Sequence, residues 1–558
     1  MAKMIRVFCE NNQSTHYFPL GTSLSEMALQ SEIAPDNQTI LGAMVNNEVH
    51  ELSYEIYKPK NIFLLTYQHS YGKQMYIRSL TMVLYKAIKD SFPLLRLKVE
   101  HSISKGLYCE LTGPAMDKDM HREVVMQIKH RMQEIIQEDY PITRDEVETS
   151  EAIQIFKDLG LNDKVKLLSS RTHLYSSVYQ LDDIRDYYYG PLVPSTGFLK
   201  VFDLIPYYHG MLLIFPKTEN PMELEDIVIQ PKMFEIFQEH KDWVEILEVP
   251  TVGELNAMVE SKKISELIKV AEALQEKKLA SIADQIHEHK HPIRAIFVSG
   301  PSSSGKTTFT KRLAIQLRVL GYRPLQISLD NYFVEREKTP RDEHGEYDFE
   351  TPDALDIRLF SNQMRDLLDG KPVIMPRFSF TNGSRYFVDK ELQMEERSIL
   401  IIEGIHALNP LLSDFIDSRE QFKVYVSAFT QLNLDLHNRI PTTDNRLIRR
   451  MVRDSLYRGY SALDTLSRWP SVRRGEDRYI FPFQEQADVM FNTALIFELS
   501  VLKWYAQPLL EQVPRNVSVY AEAKRLMKFL SYFQAIPDHD IPATSILREF
   551  LEGSSFEY

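Results

Sequence analysis

The run Gly300-Pro301-Ser302-Ser303-Ser304-Gly305-Lys306-Thr307 constrains this chain more than any other feature, because it satisfies G-x-x-x-x-G-K-[ST] at every position. AIFVS before it reads as a buried strand, and TTFTKRLAIQLRVL after it has helical spacing. A strand, loop and helix in that order turn successive backbone N–H groups toward one concave seat, and the helix N-terminus adds partial positive charge. Gly300 and Gly305 give the backbone the freedom the loop needs. Lys306 carries a full charge to the β- and γ-phosphates, and the Thr307 hydroxyl suits Mg²⁺, an oxygen-seeking ion. The expected ligands are a nucleoside triphosphate and Mg²⁺, seated on Gly300, Pro301, Ser302, Ser303, Ser304, Gly305, Lys306, Thr307 and Thr308.

A triphosphate loop serves GTPases, transport ATPases and kinases alike, so later residues must choose. Short apolar runs alternate with helical stretches from Arg294 onward: AIFVSG, PLQISLD, SILIIEG, FKVYVSA and VMFNTAL. This pattern predicts a parallel sheet covered on both faces. Asp330 closes the second run, at the strand end that faces the ligand crevice, where a kinase needs a group to orient and deprotonate an acceptor hydroxyl. Asp-Asn is also good turn chemistry. Glu403-Gly404 closes the third run, an acidic residue after four apolar ones that would hold Mg²⁺. RLIRRMVRDSLYRG (446–459) predicts a basic helix, with Arg446, Arg450 and Arg453 on one face, and it reads as a mobile arginine-rich lid over the migrating phosphoryl group.

The rest of the chain bounds the answer less tightly. Its 558 residues exceed one core, and 44% hydrophobic with 26% charged residues is a globular composition. A net charge of −13 argues against a nucleic-acid coat protein. Two cysteines make no disulfide framework, and no apolar run reaches the ~20 residues of a membrane span, so a cytoplasmic protein without membrane attachment is expected. Strand-like pieces at Met4, Ile40–Val45 and Asn61–Leu65 surround a short helix near Leu24–Gln30. An α+β segment follows, with helices at Ile77–Ser91, Met120–Glu138 and Glu151–Leu159 and strands at Gly106–Leu111, Phe198–Leu204 and Met211–Phe215. Residues 231–291 read as a charged helical connector, and the tail from Glu498 as helical with breaks at Pro508, Pro514, Pro537 and Pro542.

GPSSSGKTT, SLDNYF, YDFETPDALD, IIEGIHAL and RRMVRDSLYRG together resemble the motifs of the uridine kinase and phosphoribulokinase family, in that family's order, across about Arg294–Leu495. The resemblance implies a nucleoside kinase using ATP and Mg²⁺. It implies Asp330 as catalytic base, Lys306 as phosphate lysine, and Thr307, Glu403 and Asp330 around the metal. Arg453 and Arg458 match lid arginines, and Arg450 lies near the acceptor sugar. Tyr332, Glu350, Phe378 and Arg468 fall among the substrate-binding positions. The chain departs from the family there. Glu350 replaces an aspartate, Phe378 and Gly383 fall where a tyrosine and a histidine read the base, Tyr460 replaces an arginine and Arg468 a glutamine. Arg468, Arg473 and Arg474 could serve an anionic acceptor such as a sugar phosphate, or ATP.

FPLGTSLSEMA and AMVNNEVHELSYEI resemble the TGS domain, a small β-grasp module. RSLTMVLYKAIKDSFP, MQEIIQEDYPITRDEV and YYGPLVPSTGFLKVF resemble the additional domain of threonyl-tRNA synthetase. The four metal-binding places of that domain fall on Arg78, Met82, Tyr188 and Leu192, so no deacylase activity is expected. The expected organisation is a β-grasp module (1–66), an α+β domain (67–221), a helical connector (222–290), an α/β P-loop kinase domain (291–497) and a helical tail (498–558). The leading reading is a nucleoside kinase. A kinase of another small alcohol and a nucleotide-gated RNA- or ribosome-binding regulator stand behind it, and a homo-oligomer is left open.

Overall fold

A computed structural model describes residues 3–30, 38–113, 122–343, 345–379, 382–430 and 432–557. The first sixty-odd residues form a mixed sheet in the order Ser14–Pro19, Met4–Cys9, Lys60–Leu65, Gly42–Val45, Glu48–His50. Only Met4–Cys9 and Lys60–Leu65 run parallel in it. The short helix Leu24–Ala28 begins at a capping box, in which Ser23 and Glu26 satisfy each other's backbone N–H groups. Leu24 and Met27 then point into a small core with Val7, Ile62 and Leu64.

Next comes an antiparallel sheet in the order Asp203–Tyr207, Gly210–Ile214, Gly106–Thr112, Arg96–Ile103. Helices Ser70–Ser91 and Arg122–Glu138 pack on it through Leu80, Leu84, Ile128 and Met132. Met120, the expected start of the second helix, lies outside the described residues. The strand expected over Phe198–Leu204 begins only at Asp203. Thr196–Phe198 is a single 3-10 turn, because the Thr196 hydroxyl donates to the Ile135 carbonyl at 2.7 Å and the Gly197 N–H to Asp139 at 2.8 Å. These bonds fasten the segment to the end of a helix and leave no ladder for it to join.

The connector is three helices, Pro231–Leu247, Val252–Glu260 and Ile264–His287. The last buries Leu279, Ile282, Ala283 and Ile286 against Phe309, Leu313 and Leu317 of the helix Lys306–Val319. It is thus a packed element with one charged face.

All five predicted apolar runs form one parallel sheet, in the order Arg323–Ser328, Ser398–Glu403, Ala295–Ser299, Gln421–Ser427, Val489–Asn492. Ala295, Ile296, Phe297 and Val298 are wholly buried, as a strand covered on both faces requires. In the tail, Pro508 does not break the chain as expected but lies inside helix Glu498–Glu511. The carbonyl it leaves without an N–H belongs to Trp504, whose side chain is exposed, so water can satisfy that oxygen.

The front half is joined to the loop 432–440, which follows the kinase strand Gln421–Ser427, by a buried ionic cluster. Lys164 lies between Asp186 at 2.8 Å and Asp435 at 2.9 Å, and all three side chains are fully inaccessible. His437 meets the other oxygen of Asp186 at 2.7 Å. The Val99 N–H donates to the Leu436 carbonyl and Asn433 Nδ2 to the Val99 carbonyl, so backbone bonds accompany the charges. Removing the cation strands two carboxylates in the interior. Lys164→Met is expected to lower unfolding stability by about 3–5 kcal/mol. Lys371→Met, at an exposed pair with Asp366 and Asp369, should change it by less than about 0.5 kcal/mol. Denaturant unfolding of the two variants checks this, and equal small effects would contradict it.

Candidate active site

Register brings the site together. Glu403 pairs with Val298 on one side and Ser328 on the other, so three strands end level. The chain leaves the first at Gly300, the second two residues before Asp330 and the third at Gly404. Their C-terminal ends therefore deliver the phosphate loop, Asp330 and Glu403 to one crevice.

The loop has the conformation its glycines allow. Gly305 is left-handed at φ +83°, and a Cβ on Gly300 would come within 1.9 Å of the Val426 carbonyl oxygen. Ser303 is also left-handed, at φ +58°. The Ser303 and Ser304 hydroxyls are buried and make no hydrogen bond within the protein, as expected of a cradle shaped for an external acceptor. Lys306 is buried, and its Nζ donates to the Pro301 carbonyl at 3.1 Å. Burial pushes its pKa down, while Glu403 and Asp330 draw it back up. Conversely, burial and then the Asp330 charge raise the Glu403 carboxyl, against Lys306. Two carboxylates converging beside the partly exposed Thr307 form an oxygen-rich, electrostatically unsatisfied set, which fits Mg²⁺.

The arginine helix spans Thr442–Tyr457, but the expected mobile lid is corrected in part. Arg446 and Arg449 are wholly buried. Arg446 binds Glu476 and donates to the Ser302 carbonyl at 2.9 Å, while Arg449 binds Glu498 and the Thr493 carbonyl. Guanidinium groups so paired lock the helix to the loop and the tail. The other three arginines gather around buried Asp454: Arg453 at 2.8 Å, Arg450 at 3.3 Å and Arg458 at 3.8 Å. Arg450 also donates to the Ser302 hydroxyl at 2.8 Å. Arg453 and burial push Arg458 down to about 10, while Asp454 and Asp330 act the other way. Arg450, Arg453 and Arg458 thus stand close to the phosphate loop and to Asp330.

The substrate-binding positions divide. Glu350 lies at the crevice, with its Cβ against Gly475, where any added Cβ would come within 2.2 Å. Burial pushes its carboxyl up to about 7 despite Arg450. Phe378 is half-buried beside Phe333, and its N–H donates to Asn331, next to Asp330, at 3.3 Å. Phe380 and Thr381 of the same stretch lie outside the described residues. Tyr332 is corrected: it is wholly buried, and its hydroxyl donates to Gln363 at 2.8 Å. The 3-10 turn Leu329–Tyr332 directs its ring edge-on against Phe360. Arg468 is exposed and stacked over Tyr460, with its guanidinium carbon 4.6 Å from the ring centroid. Arg473 pairs with Glu476 and Asp477, and Arg474 with Asp342.

Sequence reasoning missed Glu476 and His406. Glu476 is fully buried and accepts from Arg446, Arg473 and the Ser302 N–H. His406 is held neutral by burial, pushed down to about 4, against the backbone carbonyls of Glu350 and Tyr479. Nothing in the spacing of RRGED or EGIHAL points to either role. In the front half, Arg78 donates to the Pro191 carbonyl at 3.1 Å, and Met82, Tyr188 and Leu192 lie in the hydrophobic core.

The Glu350 carboxyl carries a pH dependence. Its folded value lies above the usual 4.5, so the native state binds the extra proton. Its stabilising contribution is complete below about 4.5 and is lost as pH rises through about 7. Glu350→Gln, which cannot ionise, should match the wild-type Tm at pH 5 and exceed it by a few degrees at pH 8. A Tm difference independent of pH would contradict this assignment.

The phosphoribulokinase / uridine kinase family matches residues 295–496. Uridine-cytidine kinase B of Dictyostelium discoideum is 32% identical over 203 residues, covering 36% of this chain and 74% of that protein. Uridine kinase of Staphylococcus aureus is 29% identical over 197 residues, covering 35% and 85%. Among solved structures, a D-glycerate 3-kinase from Cryptococcus neoformans aligns with 40% of this chain and 89% of its own, at 12% identity and a TM-score of 0.24, too low to bear on function. No described helix is long and apolar enough to cross a membrane. With its phosphate loop, strand-end carboxylates and arginine helix set on a parallel sheet, the chain belongs to the phosphoribulokinase / uridine kinase family and is an ATP- and Mg²⁺-dependent kinase of a hydroxyl acceptor.

Proposed function

We propose that the acceptor is a nucleoside, and that the chain transfers the γ-phosphoryl group of ATP to one of its hydroxyls. The observation that carries this is the convergence of Lys306, Asp330 and Glu403 at three adjacent strand ends, in a chain whose relatives are named uridine-cytidine and uridine kinases. Asp330 takes the proton of the acceptor hydroxyl as its oxygen bonds to the γ-phosphorus and the bond to the β-phosphate oxygen breaks. Lys306 offsets the charge that collects on the transferring group. Arg450, Arg453 and Arg458 add positive charge from the other side, where removal from water strengthens it. Thr307, Glu403 and Asp330 would hold Mg²⁺, which would supply charge neutralisation on the phosphates.

The acceptor side favours a neutral ligand over a sugar phosphate. Glu350 and Asp330 lie on that side, while Arg473 is already paired with Glu476 and Asp477 and Arg474 with Asp342. Phe378 and Phe333 offer an apolar wall on which a base or sugar can lie. The proposed organisation is a TGS-like module (1–66), a synthetase-like domain (67–221), a helical connector (222–290), the kinase domain (291–497) and a helical tail (498–558). We assign the front half a covering role on the kinase loop 432–440, through the Lys164 cluster.

A panel of nucleosides and sugar phosphates with ATP tests the acceptor: turnover is expected with nucleosides and none with sugar phosphates. Asp330→Asn should keep ATP affinity within about threefold and lower turnover about 10²- to 10⁴-fold. An undiminished rate would remove Asp330 from its role.

A further inference from the structure

A segment far outside the motif-bearing region lies on the phosphate seat. Thr308 is the third residue of the helix Lys306–Val319, and its backbone N–H points out of the helix N-terminus. That N–H donates to Glu549 Oε2 at 2.9 Å, and the Thr308 hydroxyl donates to the same oxygen at 2.8 Å. Glu549 ends the 3-10 turn Ile546–Glu549.

The backbone of that turn is fixed from several sides. Ser545 caps it by accepting the Leu547 N–H at 3.1 Å. Ile546 is wholly buried in the same core as Phe309 and Leu313, and its Cγ2 lies where a Cβ on Gly305 would come within 2.7 Å. Arg548 donates to the Asp538 carboxylate at 2.9 Å and to the Asp538 and Ile541 carbonyls. The Tyr457 hydroxyl of the arginine helix donates to the Leu551 carbonyl at 2.6 Å. Phe550 and Leu551 are buried. Glu549 itself is only partly buried, so its side chain can swing toward solvent while the backbone stays.

A carboxylate on two donors at a helix N-terminus makes the charge-assisted bonds that a nucleotide phosphate makes there. Two anions cannot share one donor pair at contact distance without strong repulsion. The alternative is that Glu549 caps the helix from a distance. In that case its loss would weaken the seat, and nucleotide affinity would fall or stay level.

We propose that Glu549 is an internal competitor for the nucleotide: its carboxylate occupies the anion seat at Thr308 and must swing out for the phosphates to bind, so the C-terminal turn sets ATP affinity. This goes beyond the acceptor assignment and stands whichever alcohol is phosphorylated, because it is read without an acceptor.

The test is ATP and ADP binding to the full chain by calorimetry, with no acceptor present. Glu549→Ala should bind both nucleotides about tenfold more tightly, and Glu549→Gln should fall between it and the wild type. Glu552→Ala removes an exposed acid three residues on and should leave both affinities unchanged. Unchanged or weaker binding by Glu549→Ala overturns the proposal. So does equal tightening by Glu552→Ala, which would make the effect one of net charge. If Glu549→Ala does not fold, the same comparison is made with Glu549→Gln, where any lack of tightening overturns it.

Discussion

The site depends on the meeting of like charges at the ends of parallel strands. Asp330 and Glu403 are brought together beside the buried Lys306 by sheet register. A lysine in that position is drawn two ways, with burial against its charge and two carboxylates for it. The seat is therefore electrostatically poised for ions that carry the missing charges, a divalent cation and a polyphosphate. Kinase chemistry has little covalent work for the protein and asks for positioning and charge, which is what three strand ends supply.

The second tier of charges holds that seat rigid. Glu476 ties the phosphate loop to the arginine helix, because Arg446 and the Ser302 N–H share its carboxylate. Glu498 and Thr493 hold Arg449 in the same helix, and Thr493 also reaches the Ser304 carbonyl at 2.6 Å. The arginines nearer the helix C-terminus are left to face the crevice around Asp454. One sequence run thus does two jobs: its first turns are locked into the core and its last turns gather on Asp454.

The kinase sheet was legible because a parallel strand buried on both faces is a continuous apolar run. That Gly300, Asp330 and Glu403 fall at or just past strand ends was legible from pattern alone. The burial of Tyr332 was not, since the turn that aims its ring inward leaves no mark in spacing. Arg446 and Arg449 looked like Arg450 and Arg453, and only the acids opposite them distinguish core from crevice. Glu476 and Glu549 come from segments with no motif, and His406 sits in IIEGIHAL at a position whose spacing marks no role, so tertiary packing brings all three to the site. The Phe198 strand failed for a similar reason: hydrogen bonds from Thr196 and Gly197 to a helix end outweighed local preference.

This crevice hands a phosphoryl group to an alcohol rather than to water. The direct measurement is the fate of the label when γ-labelled ATP and uridine are incubated with the full chain and Mg²⁺. The account predicts labelled nucleoside monophosphate in equal yield with ADP, and almost no labelled inorganic phosphate. Label appearing only as inorganic phosphate, at the same rate with and without nucleosides, would contradict it.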